Sequence, residues 1–141
     1  MSRLEQLEDY EGDIESTAGE IDEANARLEQ ASQRLDEIES TISQLGDDKD
    51  VAAALESNRS EAEGEKSEAE SKREELASTL EQTVQELNDA EAENEASAKT
   101  IENLSRIGED VSEASSIIEQ RKSSISSMKS RAEQLLQQLG K

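Results

Sequence analysis

Taken from Leu7, every seventh residue is Leu7, Ile14, Ile21, Leu28, Leu35 and Ile42, six consecutive heptads of large aliphatic side chains. The companion series three residues on reads Tyr10, Thr17, Ala24, Ala31, Ile38 and Leu45. Apolar residues at the first and fourth heptad positions form the seam of a coiled coil. This predicts a first long helix over 1–45, starting at about Ser2. Its interior glycines, Gly12 and Gly19, each weaken it by ~1 kcal/mol relative to Ala, which the aliphatic seam offsets.

The clearest punctuation follows, Leu45-Gly46-Asp47-Asp48-Lys49-Asp50. Gly46 suits a left-handed helix terminus, and Asp48 or Asp50 suits the N-cap of the next helix. A turn over 46–50 is short enough to favour an antiparallel hairpin over one bent helix. A second heptad series then runs Leu55, Ala62, Ala69, Leu76, Thr83, Ala90, Ser97, Leu104, Val111, Ile118, Ile125, Ala132 and Leu139. Its flanking stripe shifts: Leu80, Leu87 and Ile101 lie four residues after members of the series, whereas Ile107, Ala114, Met128 and Leu135 lie three after. Such a drift means that the buried face rotates or that two helices meet.

Two break points compete. Residues 90–97 have the weakest apolar seam, and a break at 92–98 would leave three arms of similar length. Ser105-Arg106-Ile107-Gly108-Glu109-Asp110 has better local chemistry, a glycine followed by acids able to cap. Asp110 with Glu113 resembles a capping box. The expected organisation is therefore helix 2 over 51–105, a break over 106–110, and a third helix or a continuation over 111–139. The fold class is all-α: a long antiparallel coiled-coil hairpin with a third helical segment, as a rod or a slim three-helix bundle.

Composition sharpens this picture. The chain of 141 residues has no Pro, Cys, His, Trp or Phe, and Tyr10 is its one aromatic residue. Without aromatics the core reduces to a thin line of aliphatic side chains, and without proline very long helices are permitted. Sustained heptads argue against disorder, the other reading of low hydrophobicity with high charge. The formal net charge is −21, and the segment 109–141 carries five acids and five bases, so the whole excess lies before it. Phosphate and anionic lipid would both be repelled, so neither nucleic acid nor a membrane surface is an expected partner. No signal-like apolar stretch and no membrane-length run is present, which makes a cytoplasmic location the default expectation, with signal-independent export or a virion location as alternatives.

Candidate chemistry is sparse. Without histidine or cysteine the usual general base and thiolate nucleophile are missing, and paired carboxylates need a water-poor pocket that a slim rod lacks. No enzymatic activity, no metal site and no cofactor are expected. Asp47, Asp48, Asp50 and Glu56 lack the spacing and glycine of an EF-hand, so they read as a solvated, capping turn. Asn58-Arg-Ser60 and Asn103-Leu-Ser105 match the glycosylation pattern, which without a secretory signal reads as chance.

Residues 121–131 hold Arg121, Lys122, Lys129 and Arg131 with no acid among them. The simpler reading is internal complementarity with acidic helices; the sharper one is a docking site for an acidic partner. A second basic row, Arg59, Lys66 and Arg73, flanks the seam of helix 2. An antiparallel hairpin sets residues 59–73 opposite about 23–37, which carry Glu23, Glu29, Asp36 and Glu37. Such exposed pairs select register more than they stabilise, at ~0–1 kcal/mol each.

A seam is a surface made to meet another helix. The expected interaction seam comprises Leu7, Ile14, Ile21, Leu28, Leu35, Ile38, Ile42, Leu45, Leu55, Leu76, Leu80, Leu87, Ile101, Leu104, Val111, Ile118, Ile125, Met128, Leu135 and Leu139. The leading functional expectation is a non-enzymatic coiled-coil structural or assembly protein, forming a homo-oligomer or a hetero-complex. The alternative is a small acidic adaptor or escort for a helical client; an acidic mimic of nucleic acid explains the charge but not the heptads. In shape the hairpin resembles the helical-hairpin partner proteins of bacterial type VII secretion. Leu45-Gly46 is the only turn comparable with their Trp-x-Gly, and it lacks the tryptophan, so the resemblance is architectural and carries over no residue.

Overall fold

The computed structural model describes residues 3–141, apart from the side chain of Leu4. The expected helix start at Ser2 lies outside the described residues. Three helices account for nearly all of the described chain: α1 (Arg3–Leu45), α2 (Lys49–Arg106) and α3 (Ser112–Gln138). The fold is all-α, a helical hairpin with a third helix.

Local chemistry sets each end. After α1, Gly46 takes a positive φ of 58°, and the Asp48 N–H donates to the Leu45 carbonyl at 3.1 Å. Asp48 then caps α2, its Oδ1 accepting from the Val51 N–H at 3.3 Å. The turn is thus shorter than 46–50, and Lys49 and Asp50 belong to α2. Gly108, at φ 90°, closes α2 in a Schellman motif: the Gly108 N–H donates to the Ser105 carbonyl and the Glu109 N–H to that of Leu104.

The capping box expected at Asp110 and Glu113 does not form. Asp110 Oδ1 instead accepts from the Ser112 N–H at 3.1 Å and from its hydroxyl at 2.8 Å, and these bonds hold the carboxyl below its ordinary pKa. This is an Asx turn over Asp110–Ser112, and it leaves Val111 in the cap position without a side-chain bond. Residues 92–98, the competing break point, are unbroken helix. Ala and Glu are strong helix formers, and a weak apolar seam does not by itself end a helix.

The chain divides into two compact units: the described part of Met1–Ala18 together with Ala77–Lys141, and Gly19–Leu76. The first is a three-helix unit. In it α1 and α2 are antiparallel, with Arg3 paired to Glu93, and α3 runs parallel to α1, its Arg131 bonded to Glu15. Leu7, Ile14, Leu80, Leu87, Ile118, Ile125, Met128, Leu135 and Leu139 are buried in its core with four alanines, Ala18, Ala77, Ala132 and the half-buried Ala90.

The second unit is a two-helix hairpin whose core is Ile21, Ala24, Ala31, Leu35, Ala62, Ala69 and Leu76. Leu28, Ile38, Ile42, Leu45 and Leu55 are only half-buried. Two helices cover one side of each other's seam, and large side chains along it stay partly open. Thr17, a polar member of the first helix's companion stripe, is buried in the three-helix unit and donates its hydroxyl to the Asp13 carbonyl at 2.9 Å. That bond satisfies the hydroxyl within its own helix.

Candidate interaction surfaces

In the hairpin unit the ion pairs cross between the helices near the expected register. Lys72 lies 3.8 Å from Glu20, and Arg59 lies 3.7 Å from Glu39. The partners differ from those expected, however. Of the row Arg59, Lys66 and Arg73, Arg59 makes the interhelical pair recorded among the described residues, and Glu23 is taken by Arg27 in its own helix at 2.7 Å. The shortest crossing runs the other way, from Arg34 on α1 to Glu65 at 3.1 Å, with Glu61 at 3.5 Å. The hydrogen bonds to Glu65 and Glu61 raise the Arg34 pKa above its ordinary value. Ala24, Ala31, Gly64 and Ala69 floor a broad surface groove of ≈ 960 Å³ edged by Glu20, Glu23, Glu65 and Glu68.

The three-helix unit answers the question of the basic stretch for two of its four members. Lys129 faces Glu91 at 3.5 Å, and Arg131 donates from Nε to Glu15 at 3.0 Å, so both serve internal complementarity. Lys122 is exposed, and Arg121 is half-buried with its Nε buried and lacking a hydrogen-bond acceptor. Arg121 lines a cavity of ≈ 180 Å³ with Leu7, Tyr10, Glu86 and Asn94. Burial, followed by the charge and hydrogen bonding of Glu86, raises the Tyr10 phenol pKa above its usual 10.0.

Asn94 is the residue that seam counting passes over. It is 5 % exposed and donates from Nδ2 to the Ile118 carbonyl at 3.0 Å, with its Oδ1 buried and lacking a protein donor. The signal was available: Asn94 falls seven residues after Leu87 and seven before Ile101, on one stripe.

Of the expected seam, Leu104 departs most, at 41 % exposed, while Ile101 and Val111 are half-buried. Heptad position alone does not bury a side chain; a facing helix does. Of the four exposed large apolar side chains among the described residues, Leu104, Ile107 and Ile117 fall at the α2–α3 turn or within its flanking turns, and Val51 is the fourth. Among the described residues no helix is long and apolar enough to cross a membrane, and no cluster of three or more acids is arranged to hold a metal ion. Within the Asp47–Asp50 stretch Asp48 is occupied as a cap, and Lys49 and Asp50 are already helical.

No protein-family model, curated protein or solved structure matches the chain.

Proposed function

We propose that this protein is a non-enzymatic helical interaction module, an acidic adaptor that binds a helical segment of another protein. One observation carries the reading. The large seam residues of the three-helix unit, Leu7, Ile14, Leu80, Leu87, Ile125 and Leu135, are buried against each other within one chain. A seam satisfied in this way needs no second copy, which leaves the exposed apolar residues and the acidic surface for a different partner. Charge works in the same direction, since two chains of net charge −21 repel one another.

Self-assembly is the second reading, and it rests on the hairpin unit. Leu28, Ile38, Ile42, Leu45 and Leu55 stay half-buried there, and another copy could complete their burial. Sedimentation equilibrium across a hundredfold concentration range separates the two. The adaptor reading expects a monomer of 15.5 kDa throughout. A dimer or larger species that Leu28→Asp dissolves would establish self-assembly instead.

A further inference from the structure

The exposed apolar residues beside the α2–α3 turn follow from how the three-helix unit is built. Leu104 lies two heptads beyond Ala90, which lines a cavity with Gln6, Leu7 and Tyr10 of α1. Ile117 lies one heptad before Ser124, which lines another with Glu11 and Ile14, and two before Arg131, which bonds Glu15. Both residues therefore occupy the faces that α1 covers elsewhere in the same unit. Near Arg3, the first described residue of α1, the partner on α2 is Glu93. Past Glu93 the same two faces continue, and Leu104 and Ile117 are each 41 % exposed, while Ile107, in the turn after α2, is 75 % exposed.

From this continuity we infer that the face formed by residues 97–107, at and just past the end of α2, and 111–120, at the start of α3, is a docking site for one partner helix, which takes up the line of α1. The inference rests on the adaptor reading and names its surface. About ten residues of helix at ~1.5 Å each give a slot on the order of 15 Å, or three turns. The occupant carries aliphatic side chains at helical spacing to cover Leu104, Ile107 and Ile117, and basic residues on its flanks. The basic requirement comes from charge: residues 95–120 hold six acids (Glu95, Glu102, Glu109, Asp110, Glu113 and Glu119) against Lys99 and Arg106. Arg106 is already bonded to Glu102 at 3.0 Å. A second copy would bring the same acids to the same place, whereas a basic helix repeats the chemistry by which Arg131 and Lys129 hold α3 to Glu15 and Glu91.

The test is an ¹⁵N-labelled titration of the whole chain with a synthetic 14-residue peptide, leucines at i, i+3, i+4 and i+7 and lysines on the flanks. A permuted peptide of equal composition is the control. The expected result is shift changes confined to residues 97–120 with the amphipathic peptide, and at least tenfold weaker binding to the double variant Leu104→Ser/Ile117→Ser. Both side chains are exposed, so that variant should melt as the parent does. Equal binding of the permuted peptide, no binding, or changes that survive the double substitution would overturn the site. Shift changes confined to Gly19–Leu76 would also overturn it, yet leave the adaptor reading standing. Concentration-dependent broadening of residues 97–120 without peptide would mean that a second copy covers the face, and would sink both.

Discussion

The Asn94 side chain on α2 donates to the Ile118 carbonyl of α3 at 3.0 Å, and it does so inside the apolar core of the three-helix unit. A buried polar side chain bonded across two helices disfavours alignments that leave it unpaired. Its position between Leu87 and Ile101 makes it the marker of the α2–α3 alignment.

Asn94→Asp tests that bond with almost no change of shape. The variant loses the donor to Ile118 and buries a carboxylate beside a carbonyl oxygen, so it should cost about 2–4 kcal/mol at pH 7. Burial raises the folded-state pKa of such an acid, so the protonated form favours folding and the loss should shrink as pH falls from 7 toward 5. Urea unfolding at both pH values reads it. An equal loss at the two would mean that the new carboxyl escapes to solvent.

Tyr10 is the one tyrosine and the chain has no tryptophan, so its ionisation is readable directly by ultraviolet absorbance. Its midpoint should lie above 10.0, chiefly from burial and then from Glu86. Glu86→Gln should bring it part of the way down. A folded pKa above the unfolded one means that Tyr10 contributes stability below pH ~10 that is lost as pH rises through the folded value. Tyr10→Phe should therefore flatten that alkaline fall in melting temperature.

Two glycine substitutions should have opposite signs. Gly64 lies inside α2, and a Cβ there would meet nothing within 4 Å, so Gly64→Ala should stabilise by about 0.5–1 kcal/mol. Gly108 has equal space but a φ of +90°, so Gly108→Ala should destabilise by about 1 kcal/mol or more. Thermal melts of the pair distinguish backbone conformation from crowding.

Close helix approach in the hairpin unit should be intolerant of added volume. Ala62 is fully buried in the seam, and Ala62→Leu should cost about 1–3 kcal/mol by overpacking. Ile21→Ala, which removes volume at an equally buried position, should cost about 2–4 kcal/mol. If Ala62→Leu instead stabilised, the helices would be less closely packed than their alanines indicate.

Spacing picks out the stripe, but how deeply the stripe is buried depends on the helices around it: Leu87 and Ile125 in the three-helix unit are buried, whereas Leu28 and Leu55 in the hairpin unit are half-buried. Leu76 and Leu104 belong to one heptad series, yet Leu76 is buried and Leu104 exposed. The basic residues divide similarly: their pairing with acids was legible, but the choice of Glu15 for Arg131, 116 residues away, was not. Asn94 was overlooked because a search for apolar residues skips the polar member of a stripe.

What the sequence determined by itself is local. The heptads and the absence of proline set the helices, and Gly46 and Gly108 with their neighbouring acids set the turns, since positive φ and cap bonds are decided within a few residues. What only the tertiary structure decided is which stripe finds a partner. Burial depends on the helix across the gap, and so Asn94 is enclosed while Leu104, Ile107 and Ile117 are left open to solvent.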